Sequence, residues 1–189
     1  MGKIIAGINM TLDGFCDHTY GIADDELHQH YSELLRSSGT ILYGRITYQL
    51  MEYWPPIVKD PTGNQAVDEF AVIMDSTPKI VFSRTLEKVD WESARIATRS
   101  LEEEILALKQ QSDNDILVGS PSLIAAATEL NLVDQYQLCV HPVIAGKGLP
   151  LFKNIGDLRF LKLIKTKAFG SGAIVLYYEP AKGTAGSVQ

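Results

Sequence analysis

Two segments of this chain share one plan: Thr40-Ile-Leu-Tyr-Gly-Arg-Ile-Thr47 and Asp115-Ile-Leu-Val-Gly-Ser-Pro-Ser122. Each is a short apolar run, then a glycine, then the start of a helical pattern. Runs of that length read as buried strands, and strands that alternate with helices build a parallel sheet. A helix that starts just past a strand end exposes free backbone amides and a partial positive charge there, which favours phosphate. Gly44 and Gly119 permit a close backbone approach. Ser120 suits a helix cap and Pro121 a first turn, while Arg45 adds a planar cation and Thr47 a hydroxyl.

The same alternation runs along most of the chain. Strands are expected over Lys3–Asn9, Thr40–Tyr43, Lys79–Phe82, Ala94–Ala97 and Asp115–Val118. Helices are expected over Asp24–Ser37 with Gly39 as its closing residue, from Arg45, over Asn64–Met74, from the capping box Ser100/Glu103 to about Gln110, and up to Leu130. The stretch Tyr53–Gly63 holds three prolines and is read as irregular. After residue 133 only strands follow: Gln135–Val140, Arg159–Thr166 and Ala173–Glu179, the last two joined by Gly170-Ser-Gly172. The expected fold is therefore α/β: a central, mostly parallel sheet flanked by helices, with an antiparallel C-terminal end. A single domain is expected over residues 1–180, with 181–189 a disordered tail.

Composition narrows the partners. The 189 residues are 46% hydrophobic and 21% charged, with a net charge of −6 and no basic stripe of the kind that neutralises nucleic-acid phosphates. No apolar run reaches membrane-spanning length, the N-terminus reads as a first strand rather than a signal peptide, and Ala6 breaks a myristoylation pattern. Cys16 and Cys139 lack CxxC spacing and are expected as free thiols in the cytoplasm. His28 and His30 lie about 200° apart around a helix and cannot share an ion, so no metal site is expected.

Three arginines follow predicted parallel strands: Arg45, Arg84 (in Ser-Arg-Thr) and Arg99 (in Thr-Arg-Ser). Adjacent parallel strands would set them along one edge. Two phosphate sites on that edge suit a dinucleotide, and the added positive charge suits a further phosphate on it.

The residues Ile5-Ala-Gly7, Thr11-Leu-Asp-Gly14, Leu42-Tyr-Gly-Arg-Ile-Thr-Tyr48, Phe82-Ser-Arg84, Leu117-Val-Gly-Ser120, Leu132–Tyr136 and His141–Gly148 carry a resemblance to the dihydrofolate reductase-like superfamily. The branch it is most similar to is the reductase domain of the bacterial bifunctional riboflavin-biosynthesis deaminase–reductase. That resemblance implies an NADPH-dependent oxidoreductase, and a homodimer built from the C-terminal strands. It implies that Ala6 and Gly7 meet the nicotinamide amide, and that Gly44, Arg45 and Thr47 hold phosphates. Ser83 and Arg84, joined by Arg99 on the charge argument, would hold the adenosine end, and Gly119, Ser120, Ser122 and Leu123 the pyrophosphate. Asp13, Asp25, Tyr48 and Trp54 are expected to line a pocket for a small pterin-, folate- or pyrimidine-reductone-like substrate. The chain departs from dihydrofolate reductases where a Gly-Gly pair becomes Gly119-Ser120. It departs again where a helix carboxylate gives way to His28, which argues against dihydrofolate itself. No residue stands out as a proton donor. The competing expectations are a non-catalytic dinucleotide- or ligand-binding protein that kept the fold, or an interaction scaffold without nucleotide.

Overall fold

The computed structural model describes residues 2–21, 23–153 and 155–181. The expected tail, apart from Ala181, lies outside the described residues. Eight strands form one sheet: β1 (Ile4–Thr11), β2 (Ser38–Gly44), β3 (Lys79–Phe82), β4 (Ala94–Ile96), β5 (Asp115–Val118), β6 (Gln135–His141), β7 (Leu161–Ala168) and β8 (Ile174–Pro180). Their spatial order is β4-β3-β2-β5-β1-β6-β8-β7. All pairs from β4 to β6 are parallel, and β6–β8 and β8–β7 are antiparallel.

Among the described residues six helices cover the sheet: α1 (Asp25–Ser37), α2 (Arg45–Met51), α3 (Trp54–Lys59), α4 (Gln65–Ser76), α5 (Leu101–Gln111) and α6 (Pro121–Glu129). Alternate residues of the central strands feed two cores. Ile5, Ile41, Tyr43, Val81 and Leu117 pack with α1 and α4 through Leu34, Leu35, Phe70 and Met74. Ile4, Ala6, Leu42, Ile80, Ile116 and Val118 pack with α5 and α6 through Ile105, Ile124 and Ala127. Burial on both faces is why these strands are apolar throughout rather than alternating.

The Tyr53–Gly63 expectation is corrected: α3 forms there, because Pro55 and Pro56 fall in its first turn, where no intrahelical N–H is needed. The Gly39 expectation is corrected too. Helix α1 ends at Ser37, and Ser38 is already extended and begins β2, with its hydroxyl donating to Leu34 O at 2.8 Å. Gly39 is a glycine for another reason: a Cβ there would lie 2.7 Å from the Asn114 side chain. At the antiparallel end, β7 and β8 sit one to two residues later than expected. Gly172, at φ +85°, makes the turn before β8.

Two buried ionisable groups brace the far end of the sheet. Glu104, 1% exposed, takes a bidentate pair from Arg95 at 3.0 and 2.8 Å. That pairing, ahead of the opposing effect of burial, keeps its pKa below the ordinary value. The Lys79 ammonium closes the end of α4 by donating to the carbonyls of Met74 and Thr77, and lies over the Trp91 ring.

Candidate functional site

The parallel strands β4, β3, β2, β5 and β1 all end on one edge, in that spatial order. Neighbouring strands lie about 4.8 Å apart, so this edge runs for about 19 Å, room for an extended dinucleotide. Along it come Arg99 after β4, Ser83-Arg84 after β3, Gly44-Arg45 after β2, Gly119-Ser120 after β5, and the last half of β1.

At the outer end, Phe82, Ser83, Arg84, Ala97 and Arg99 line a cleft of about 370 Å³. Both arginines are exposed there; Arg95 on β4 is exposed too but is paired with Glu104. The Ser83 hydroxyl accepts from the amides of Thr85 and Leu86 at 3.1 and 2.9 Å, fixing the turn that presents Arg84. Arg45 follows the next strand and donates to Gln49 Oε1 at 3.3 Å; it does not line this cleft. The edge thus brings two of the three arginines into one cleft, and leaves the third at the loop after β2.

In the middle, the loops after β2 and β5 are joined. The Gly44 amide donates to Ser120 Oγ at 2.8 Å, and Ser120 is 1% exposed. This corrects the expected cap: the Ser120 hydroxyl faces Gly44, and α6 starts with no side-chain cap. Helices α1, α4 and α5 are each capped by their own Asp24, Asn64 and Ser100. The start of α6 has neither a side-chain cap nor an acid in its first turn. Space is tight around both glycines. A Cβ on Gly44 would sit 3.4 Å from Ser122 Oγ, and one on Gly119 would meet the Tyr43 ring at 2.7 Å. Thr47 is half-buried and Ser122 exposed near these loops, while Leu123 packs against the core under α6.

At the inner end, β5 stops at Val118 opposite Ala6, but β1 continues to Thr11 along β6. From Gly7 onward β1 therefore has no strand on its β5 side among the described residues. A Cβ at Gly7 would strike Leu117 Cδ1 at 2.8 Å.

The four residues expected around a substrate separate. Asp13 ties two loops, accepting from Thr11 Oγ1 at 2.6 Å and from the Gly146 and Ala145 amides at 2.7 and 3.1 Å. Those bonds, the Thr11 one foremost, lower its pKa to about 2 and keep it ionised. Asp25 accepts from Asn64 Nδ2 at 2.9 Å and lines a polar cleft of about 380 Å³ between α1 and α4 with Gln29, Gln65 and Glu69. Half-buried Trp54 packs edge-on against Phe70 and His28, with ring centres 4.5 and 6.0 Å away. The Tyr48 expectation is corrected: it is 1% exposed, inside the core beside Trp91, because the helical turn after Gly44 points it inward. It forms no pocket wall.

Sequence reasoning missed a polar group at the end of β1. Asn9 Oδ1 accepts from Tyr31 Oη at 2.9 Å and from His141 Nε2 at 3.0 Å. Cys139, opposite Asn9 on β6, has its Sγ 3.7 Å from the same His141 nitrogen. Burial raises the Cys139 pKa to about 12 and lowers that of His141, so both are neutral. Residues 132 positions apart are joined here, and no local signal in the sequence announces the meeting.

Comparison with known proteins agrees with this architecture. The family model of the RibD C-terminal domain matches residues 2–175. The chain is 34% identical over 180 residues to the uncharacterized protein YyaP of Bacillus subtilis (strain 168), covering 93% of this chain and 94% of that one. Among solved structures, a pyrimidine reductase-like protein from Corynebacterium diphtheriae superposes with a TM-score of 0.64 at 17% identity, covering 96% of this chain and 93% of that one. Acinetobacter baumannii RibD gives 0.68 at 14% identity, with 96% of this chain lying on 59% of the longer protein. The chain belongs to the RibD C-terminal domain family, a family of reductase domains built on the dihydrofolate reductase-like fold.

Proposed function

We propose that this protein is an NADPH-dependent reductase of a small heterocyclic substrate, of the pyrimidine-reductone type. The observation that carries the reading is the Arg84–Arg99 cleft on the same sheet edge as the Gly44–Ser120 junction and the stretch of β1 that runs past the end of β5. Family membership supports it.

The residues present fit such a cofactor. Gly44, Arg45 and Thr47, with Gly119, Ser120, Ser122 and Leu123 at the start of α6, would hold its phosphates. Ser83, Arg84 and Arg99 would take the adenosine end and its extra phosphate, and the backbone at Ala6 and Gly7 the nicotinamide amide. When bound, the nicotinamide supplies the hydride. The chain's own part is to orient the two partners against each other and exclude water from between them. Asp13 and Asp24 do not deliver the proton. Asp13 is held ionised, and at Asp24 burial, the largest influence, is outweighed by hydrogen bonds, that of the Leu27 amide at 2.7 Å among them, which keep its pKa low. Water reaching the open end of β1 is the proton source in this reading. Of the four residues expected around a substrate, Asp13 would contribute by holding its loop.

Titrating the protein with NADPH and NADH by calorimetry, then following NADPH absorbance with a panel of pyrimidine reductones, pterins and folates, tests the reading. NADPH binding without turnover of any panel member would favour a ligand-binding protein that kept the fold. Absence of NADPH binding would overturn the proposal.

A further inference from the structure

Asn9 lies on β1 two residues beyond Gly7, on the α1 side of the sheet, and is exposed where β1 has run past the end of β5. Exposed asparagines ordinarily leave both ends of the amide to water. This one does not. Its Oδ1 is gripped by two donors from different elements: Tyr31 Oη from α1 at 2.9 Å and His141 Nε2 from the end of β6 at 3.0 Å. His141 is only 2% exposed, and its ring is further fixed by strand pairing, since Thr11 and His141 lie opposite each other in register.

A carboxamide is planar and two-ended. When its oxygen accepts two inward hydrogen bonds, its NH₂ is turned the other way, with two donors to offer. The grip also sets the histidine tautomer, because donation to Oδ1 requires the proton on Nε2. Burial keeps the imidazole neutral, consistent with one N–H committed to that bond. The outward NH₂ is therefore held in a single orientation before any ligand arrives, which is the condition for selective recognition at little ordering cost.

The location says what it would recognise. Along Gly7 to Thr11, β1 has no strand on its β5 side among the described residues, and exposed Asn9 lies in that stretch. In an open α/β sheet, ligands enter at such strand ends. A fixed pair of neutral N–H donors there matches an uncharged acceptor, and among flat heterocycles that is a ring carbonyl oxygen.

We propose that Asn9 is a substrate-specificity residue: its NH₂, oriented by Tyr31 and His141, donates to a ring carbonyl of the heterocyclic substrate. This rests on the reductase reading above, and Tyr31 and His141 act as positioning residues.

The test uses 5,6-diaminouracil, a pyrimidine with two ring carbonyls, titrated calorimetrically into the full chain saturated with NADP⁺. Asn9→Asp keeps an inward oxygen for Tyr31 and His141 but replaces the outward donor with a carboxylate oxygen. It should weaken the probe by roughly tenfold or more, while NADPH affinity stays at the wild-type value. Tyr31→Phe, which removes one of the two holders, should weaken the probe by a smaller factor, and it carries the test if Asn9→Asp fails to fold. Nitrogen-15 spectra of His141 should show the Nε2–H tautomer. Unchanged probe affinity in both variants, or a wild type that binds NADPH but not the probe, overturns the Asn9 assignment and leaves the cofactor reading standing. A wild type that does not bind NADPH overturns the reductase reading itself, and the assignment with it.

Discussion

The Gly44 amide donates to the Ser120 hydroxyl at 2.8 Å, so the loops after two neighbouring strands are held together before any ligand binds. Ser120→Ala would leave the Gly44 N–H without that acceptor, and a buried donor left unpaired costs about 1–3 kcal/mol. Urea denaturation should show a loss of about 1–2 kcal/mol, with NADPH affinity falling as the two loops part. An unchanged midpoint together with unchanged affinity would show that the junction organises nothing.

Arg84→Ala and Arg99→Ala should each shrink the preference for NADPH over NADH. A charge-assisted contact to a phosphate is worth about 1.5–3 kcal/mol, tenfold to a hundredfold in affinity. Because both residues line one cleft, the double variant should lose less than the sum of the two. NADH affinity should barely move. Salt should weaken NADPH more than NADH in the wild type.

His30 sets a pH dependence. It is 5% exposed among Tyr31, Phe169 and Tyr177, and burial, aided by Lys167 and Lys165 and opposed by Glu33, lowers its pKa from 6.5 to about 4. Between those values the unfolded chain binds the proton and the folded one does not. Its contribution is thus complete above pH 6.5 and is lost as the pH falls toward 4, by on the order of 3 kcal/mol. His30→Phe should flatten the fall in stability over that window. Parallel curves for variant and wild type would refute the assignment.

We propose a homodimer through the antiparallel end of the sheet. Strand β7 is an edge strand exposed along nearly all of its length. Leu158, Phe160, Leu163, Ile164 and Ile174 are 40–76% exposed on or beside it. Edges and apolar surfaces of this kind are commonly covered by a second subunit. Light scattering should give twice the chain mass at micromolar concentration, and Leu163→Lys together with Ile174→Lys should return it to the monomer. A wild-type monomer would contradict the proposal.

Legibility in the sequence followed the range of the forces involved. The capping box of Ser100 and Glu103 is local and was readable, as were Leu42 and Leu117, which sit in apolar runs set by burial on both faces. The parallel pairing of β3 with β4 made the meeting of Arg84 with Arg99 readable, while Arg45 stayed outside their cleft because it enters a helix and turns to Gln49. Tyr48 misled because a helix start beside a phosphate loop has an inner face as well as an outer one. Pro55 and Pro56 misled because their effect depends on where the helix begins. Asn9 and His141 were unreadable as a pair: nothing local in either segment encodes a hydrogen bond across two strands.

The direct passage of α1 into β2 has a mechanical consequence. Ser37 and Ser38 both donate to Leu34 O, so the junction has no slack to serve as a hinge. Tyr31, nearly two turns before the junction, and Gly44, at the far end of β2, therefore ride on one stiff lever. One extra residue inserted at 38 would reverse which side chains of β2 face each core, exchanging Leu42 with its neighbours and dislodging Gly44 from Ser120. Length at this point is set as tightly as any side chain in the site.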